Sequence, residues 1–208
     1  MNTKMPDEIY VDRFVLKPIP ANLHYAQKIF DIFNEDTDGF RFWMEYGLYK
    51  NVDEVLAEYK TKNQDKGFCK YAMYGIFDGD ELLGEIGLGC IYVRRQTAEI
   101  GYWLKKSARR RGIIDILLPT IEKLGFEHYN LHKLTIWCDD ENIAVKKQAE
   151  KHGYVREGLL REEKIWPDGS AHSTALYGKL KSEWQEQNKN LLSFHQPCFI
   201  TKTPQNKA

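Results

Sequence analysis

Along the chain, short runs of alternating or continuous apolar residues are punctuated by Gly, Pro, Asn and Asp, and between them lie stretches with apolar residues three and four apart. The first run, Ile9-Tyr10-Val11-Asp12-Arg13-Phe14-Val15-Leu16, is rich in β-formers and stops at Pro18, which predicts an opening strand. From about Ala21 to Phe33, the residues Ala26, Ile29, Phe30 and Phe33 recur at helical spacing, and Val55, Leu56 and Tyr59 do so between Val52 and Lys62. The segment between those helices, GFRFWMEYGLY, reads as an aromatic linker whose rings pack the core. Two strand-like runs, Tyr71 to Phe77 and Glu81 to Tyr92, meet at Asp78-Gly79-Asp80, where glycine accepts a positive φ without steric cost, so a hairpin is expected.

Thr97 to Leu104 is a further strand, followed by a basic turn and a long apolar helix carrying Ile113, Ile116, Leu117, Ile121, Leu124 and Phe126. Pro119 should kink that helix or mark the end of its first turns. Leu134 to Cys138 is a strand, Asn142 to about His152 a helix stopped by Gly153, and two last strands, near Tyr154 to Trp166 and Ser173 to Leu180, flank the turn Pro167-Asp168-Gly169. The order is strand, two helices, three strands, helix, strand, helix, two strands. It predicts an α/β (α+β) arrangement around one sheet.

The 208 residues suit one domain, assigned to 1–184, with a polar tail over 185–208 around an apolar island from Leu191 to Ile200. Lys and Arg balance Asp and Glu at 30 each, so the whole-molecule field gives no reason to expect nucleic acid or an acidic membrane as partner, and recognition by charge must be local. Cys69, Cys90, Cys138 and Cys198 lie far apart without a C-x-x-C pair, which predicts free thiols rather than a zinc or redox site. With no apolar run of signal-peptide or membrane-span length, a cytoplasmic protein is expected.

Lys106, Arg109, Arg110 and Arg111 crowd the start of the apolar helix, where the helix dipole already places about half a positive charge. Such an arrangement repels itself unless an anion is present. A helix N-terminus with free amides is a phosphate site, and Gly112 removes the Cβ that would hold a diphosphate away from them. From charge alone, a solvated basic loop partly offset by Asp115 stands as an equal reading.

The surrounding residues change that balance. AEIGYWL followed by Arg109-Arg110-Arg111-Gly112-Ile113-Ile114 resembles the acetyl-coenzyme A signature of the GCN5-related N-acetyltransferase (GNAT) family: Gln or Arg, two free positions, Gly, one free position, Gly or Ala. The final small residue is replaced by Ile114. Asn142 and Glu150-Lys151-His152-Gly153-Tyr154 resemble the family's later Asn-x-x-Ser and Glu-Lys-x-Gly-Phe segment, and EGLLREE, PDG and LYGKLKSEW extend the resemblance to Trp184. It is nearest to the branch of ribosomal-protein N-terminal acetyltransferases. The resemblance implies the GNAT fold, one mixed, mostly antiparallel sheet with helices on both faces and a splayed cofactor cleft.

It also implies acetyl-coenzyme A as co-substrate, with Trp103 and Leu104 lending backbone to the pantetheine arm, Arg109, Arg110, Arg111, Gly112, Ile113 and Ile114 at the diphosphate, and Asn142 on the other side. Asn142 equally suits a helix N-cap. Glu99 occupies the strand position where several members carry a catalytic glutamate; a half-buried carboxylate paired with an arginine is the other reading. Trp43, in the linker where relatives build the acceptor pocket, is a candidate for stacking on substrate or for the core. No metal is expected: His128 and His132 lack the Glu of H-E-x-x-H, and Gly84, Gly87 and Gly89 read as a bulge or tight packing.

The chain departs from the family at the proton donor, where Val145 and Ala149 replace the usual Ser and Tyr, and Lys164 falls where some relatives place a carboxylate, beside Glu162 and Glu163. The activity the resemblance implies is direct acetyl transfer to a primary amine, either a protein N-terminus or a small molecule, with a homodimer left open. A non-catalytic acyl-coenzyme A-binding protein is the alternative those substitutions motivate.

Overall fold

The computed structural model describes residues 4–41, 49–62, 70–166 and 168–189. The opening run is not one strand: β1 (Ile9–Val11) and β2 (Phe14–Lys17) form a tight antiparallel hairpin. Asp12 makes the turn at φ 53, the left-handed conformation that a short polar side chain tolerates. The first helix, α1 (Leu23–Glu35), is capped by Asn22, whose side chain accepts from the Tyr25 amide at 3.0 Å. The expected linker opens with a short helix, α2 (Thr37–Arg41), before α3 (Val52–Thr61), which Asn51 caps in the same way.

β3 (Lys70–Asp78) and β4 (Glu81–Tyr92) form the expected hairpin, with Gly79 at φ 59, and β4 pairs with β5 (Thr97–Leu104) along its length. The register between β4 and β5 slips between Gly89 and Tyr92, where Cys90 adopts φ 43 in a bulge. α4 (Ile113–Lys123) runs through Pro119, then widens into a π-type turn over Leu124–His128. Gly125 lies in that turn against Leu134, whose Cδ2 would stand 2.9 Å from any added Cβ.

The remaining elements are β6 (Lys133–Asp139), α5 (Ile143–Lys151), β7 (Val155–Ile165), β8 (Ala171–Leu180) and α6 (Lys181–Lys189). α6 runs past Trp184, which packs on Phe126 at 5.4 Å. Among the described residues the sheet has eight strands in the order β1-β2-β3-β4-β5-β6-β8-β7, and only β5 and β6 are parallel. Their ladder covers Thr97–Glu99 against Lys133–Thr135 and then stops, so the C-terminal halves of the two strands splay apart. One apolar core, with α4 and α5, fills one face; a second, built from α1, α2 and α3, fills the other.

A buried ion pair ties the sheet to the helices of the first face. Lys179 of β8 and Glu122 of α4 are 2% and 4% exposed, and the ammonium donates to both carboxylate oxygens at 3.1 and 3.2 Å and to the His152 carbonyl, at the end of α5, at 2.7 Å. Removing one partner of such a pair leaves an uncompensated charge in the core. Glu122→Gln is therefore expected to cost about 3 kcal/mol, seen as a lower urea midpoint with an unchanged slope.

Candidate functional site

After Leu104, a single 3-10 turn (Lys106–Ala108) buries Ala108 and turns the chain towards α4. Arg110 and Gly112 both take left-handed backbone, at φ 61 and φ 71, which wraps the chain around the helix start. The first amides of a helix have no acceptor within it, and no side chain caps this one. A Cβ built on Gly112 would meet nothing within 4 Å, so the approach to those amides is open. This is what a diphosphate requires: donors, positive charge and no bulk.

The opening belongs to a cavity of about 520 Å³ between the free half of β5 and α5. Trp103, Leu104, Arg109, Arg110, Gly112, Ile113 and Ile114 line it, so most of the residues nominated for the cofactor come together. Arg111 is exposed and outside that lining, and so is Asn142, which caps α5 by accepting from the Val145 amide at 3.2 Å. The bulk of Ile114 is absorbed by the core beneath the cradle, where it is 8% exposed.

Arg109 is committed elsewhere. Its Nη1 lies 2.5 Å from Asp36 at the α1–α2 junction, its Nε donates to the Leu104 carbonyl at 3.0 Å, and its guanidinium rests over the Phe40 ring. It braces the cradle against the opposite layer. Asp115, in the first turn of α4, faces α5: Gln148 donates to it at 2.6 Å, and Lys151 and His152 approach at 2.9 and 3.1 Å. Burial pushes this carboxyl up, but those three hydrogen bonds outweigh it and hold it down at about 2.

A second cavity, of about 280 Å³, opens on the α1–α3 side of the splay. There β4 and β5 place Glu85 opposite Trp103 and Glu99 opposite Gly89, while the rung between them pairs Gly87 with Gly101 and carries no side chain. A Cβ on Gly101 would touch only Met73, at 3.9 Å. Phe33, Phe40 and Tyr49 wall the space, Glu58, Glu85 and Glu99 line it, and Tyr102, Trp103 and Val145 are shared with the first cavity. The two chambers thus meet where β5 and β6 part.

Glu85 was not foreseen, although a lone charge in the run LLGEIGLG was its signal. It is 2% exposed and accepts from Trp103 Nε1 at 3.1 Å and Tyr59 Oη at 3.2 Å, with Lys62 Nζ at 2.8 Å. Burial pulls the Lys62 ammonium down, yet Glu85 and Glu58 together raise it, so it stays charged; burial and Glu85 push the Tyr59 phenol well up. Asp36, too, is legible only in three dimensions. Burial raises the Cys138 thiol to about 11, which removes it as a nucleophile at neutral pH. Trp43 and the island from Leu191 to Ile200 lie outside the described residues. No helix among the described residues is long and apolar enough to cross a membrane.

Comparison with known proteins identifies this architecture. The family model for the acetyltransferase (GNAT) domain matches residues 13–155. A ribosomal-protein-serine acetyltransferase of Escherichia coli K12 is 33% identical over 126 residues, covering 61% of this chain and 69% of that protein. An uncharacterised N-acetyltransferase of Bacillus subtilis 168, YoaA, is 27% identical over 175 residues, covering 82% of this chain and 94% of that protein. Among solved structures, the spermidine N-acetyltransferase of Vibrio cholerae in complex with CoA and spermine superposes with a TM-score of 0.71 at 21% identity, over 83% of this chain and 98% of that one. With the splayed sheet, the anion cradle and the matched domain in agreement, the chain belongs to the GNAT family and is an acetyl-coenzyme A-dependent N-acetyltransferase.

Proposed function

We propose that the chain transfers acetyl from acetyl-coenzyme A directly to a primary amine held in the acidic, aromatic cavity, with Glu99 as the base. The observation that carries this reading is the shared wall at Tyr102, Trp103 and Val145: an anion cradle at one end of a continuous cleft, carboxylates at the other. The co-substrate supplies an acyl group activated as a thioester. Arg110 and the amides after Gly112 hold its diphosphate, and Trp103 and Leu104 offer strand backbone to its arm.

Among the described residues, the lining carries Glu58, Glu85 and Glu99 beside the Lys62 ammonium, a carboxylate-rich surface that favours a cationic acceptor over an anionic one. Attack requires the neutral amine. Glu99 takes that proton directly or through a water, the N–C bond forms as the C–S bond breaks, and the thiolate, with a pKa near 8.5, leaves and takes a proton from water. Deprotonating an alkyl amine at pH 7 costs about 4 kcal/mol and a peptide α-amine about 1.4. The smaller deprotonation cost favours an α-amine, the class of group carried by a protein N-terminus. The spermidine acetyltransferase and the ribosomal-protein-serine acetyltransferase among its relatives mark the two acceptor classes to compare.

Three variants test the parts separately. Gly112→Glu has room for its Cβ but strains a backbone held at φ 71; it should weaken acetyl-coenzyme A by more than about tenfold in calorimetry while the protein stays folded, because negative charge at the phosphate position adds to that local strain. Unchanged affinity would mean the cradle is misplaced. Glu99→Gln should lower kcat by about 100-fold with acetyl-coenzyme A affinity unchanged; full turnover would remove Glu99 as the base, and no turnover by the unaltered protein across protein N-termini and small amines would favour the non-catalytic alternative. Gly101→Leu should raise the acceptor KM by about tenfold or more and leave acetyl-coenzyme A binding intact, since its side chain fills the acceptor chamber alone.

A further inference from the structure

Away from both cavities, at the C-terminal end of β6, Asp139, Glu141 and His172 converge, with one potential ligand atom from each lying within 4.8 Å of the others. Asp139 closes β6, Glu141 lies in the short connection into α5, and His172 is near the start of β8. The Asp139 side chain is 5% exposed and that of His172 11%, while Glu141 is exposed. Asp139 Oδ1 accepts from the Glu141 amide at 2.8 Å. Its Oδ2 stands 2.8 Å from His172 Nδ1, yet it is buried and receives no hydrogen bond from any described residue. The two atoms are close without being aligned as donor and acceptor.

Proton accounting explains why. Ser170 Oγ lies 2.5 Å from Asp168 Oδ1, and a carboxylate only accepts, so the hydroxyl proton goes to Asp168. Ser170 then offers only lone pairs to His172 Nε2, 2.9 Å away, so Nε2 carries the ring proton. In the neutral imidazole, Nδ1 is therefore bare and faces a buried carboxylate oxygen. Two lone pairs at 2.8 Å repel unless a cation lies between them. A proton on Nδ1 would need the alignment that is missing, whereas a metal ion needs only convergence. Ligand atoms bound at about 2.0–2.2 Å stand about 3 Å apart when they meet at right angles.

We propose that Asp139, Glu141 and His172 bind a divalent first-row transition ion, with Zn²⁺ as the probe. One imidazole and two carboxylates suit such an ion better than Ca²⁺ or Mg²⁺, which take oxygen ligands. The outer contacts have the form expected of a ligating histidine. Its second nitrogen donates to Ser170, which donates in turn to Asp168, and its ring is stacked on Trp166 at 3.4 Å and 7°. Glu141, free of burial, swings in as the third ligand. The ion ties the β7–β8 hairpin to the segment entering α5, one residue before Asn142, and so fixes the helix that walls the cofactor cavity. Its role is structural and separate from acetyl transfer.

The test uses the whole chain, stripped with chelator and dialysed. Calorimetry with ZnCl₂ should give one ion per chain, the melting temperature should rise with Zn²⁺, and Co²⁺ should give a visible d–d absorption band. His172→Gln should abolish all three signals. Glu141→Gln, at an exposed position that folding does not depend on, should weaken Zn²⁺ by on the order of tenfold. The proposal is overturned if the unaltered chain shows no Zn²⁺ binding and no melting shift, if Ca²⁺ shifts melting as much as Zn²⁺, or if Glu141→Gln binds Zn²⁺ as the unaltered chain does.

Discussion

The short parallel ladder between β5 and β6 is the constraint on which the rest of the molecule depends. β5 is held to β4 along its length and β6 to β8 along its length, so each belongs to its own half of the sheet, and the strand ladder joining the halves spans Thr97–Glu99 and Lys133–Thr135. Parallel neighbours need a crossover, and α4 provides it on one face. That helix must start where β5 ends. Its unpaired amides therefore open beside an unpaired strand edge, and the helix start and that edge become one continuous surface. Neither feature is an addition to the fold; both follow from where the ladder stops.

The same geometry explains how a chain with balanced charge acts locally. Positive groups gather around the start of α4 and carboxylates gather beneath α3, on opposite ends of one cleft. Three of the deepest charges around the two cavities and the core are matched within the fold: Glu85 by Lys62, Asp36 by Arg109, Glu122 by Lys179. Buried charge without a partner is costly, so these pairs are what allow polar groups to sit this deep. Arg109 and Asp36 have a second consequence, since they join the turn before α4 to the layer that walls the second cavity.

Much of this was legible in the sequence because local rules and tertiary packing agree. The boundaries of β5, the hairpin at Gly79 and the stop at Gly153 follow from alternation and from positive φ at glycine. The disagreements have specific causes. Asp12 adopts a left-handed turn that a run of β-formers hides, so one expected strand is two. Thr37 to Arg41 is too short for periodicity to register, and its helix is held by Phe40 stacking on Phe33 at 4.0 Å. In the site, the cradle was visible because it is contiguous in sequence. Glu85, Lys62 and Asp36 were not, because strand register and helix packing bring them together from distant positions.

The apolar wall opposite the cradle bears on the proposed chemistry. Val145 and Ala149 are 4% and 0% exposed and pack in the core, so α5 serves as a packed wall with no hydroxyl at either position. In the proposed reaction, a wall of this kind would exclude water from one side of the thioester and leave the departing sulfur to take its proton from solvent. That dependence is tolerable for a thiolate, whose ordinary pKa lies near 8.5, and would not be for an alkoxide. The burden of proton transfer then falls on the incoming amine, and an amine that already loses its proton near neutral pH needs least from Glu99. An acidic pocket works against this by stabilising the ammonium form. Glu85 is kept from doing so by Lys62, which neutralises it from within the protein; Glu99 stands on the last rung before the strands part.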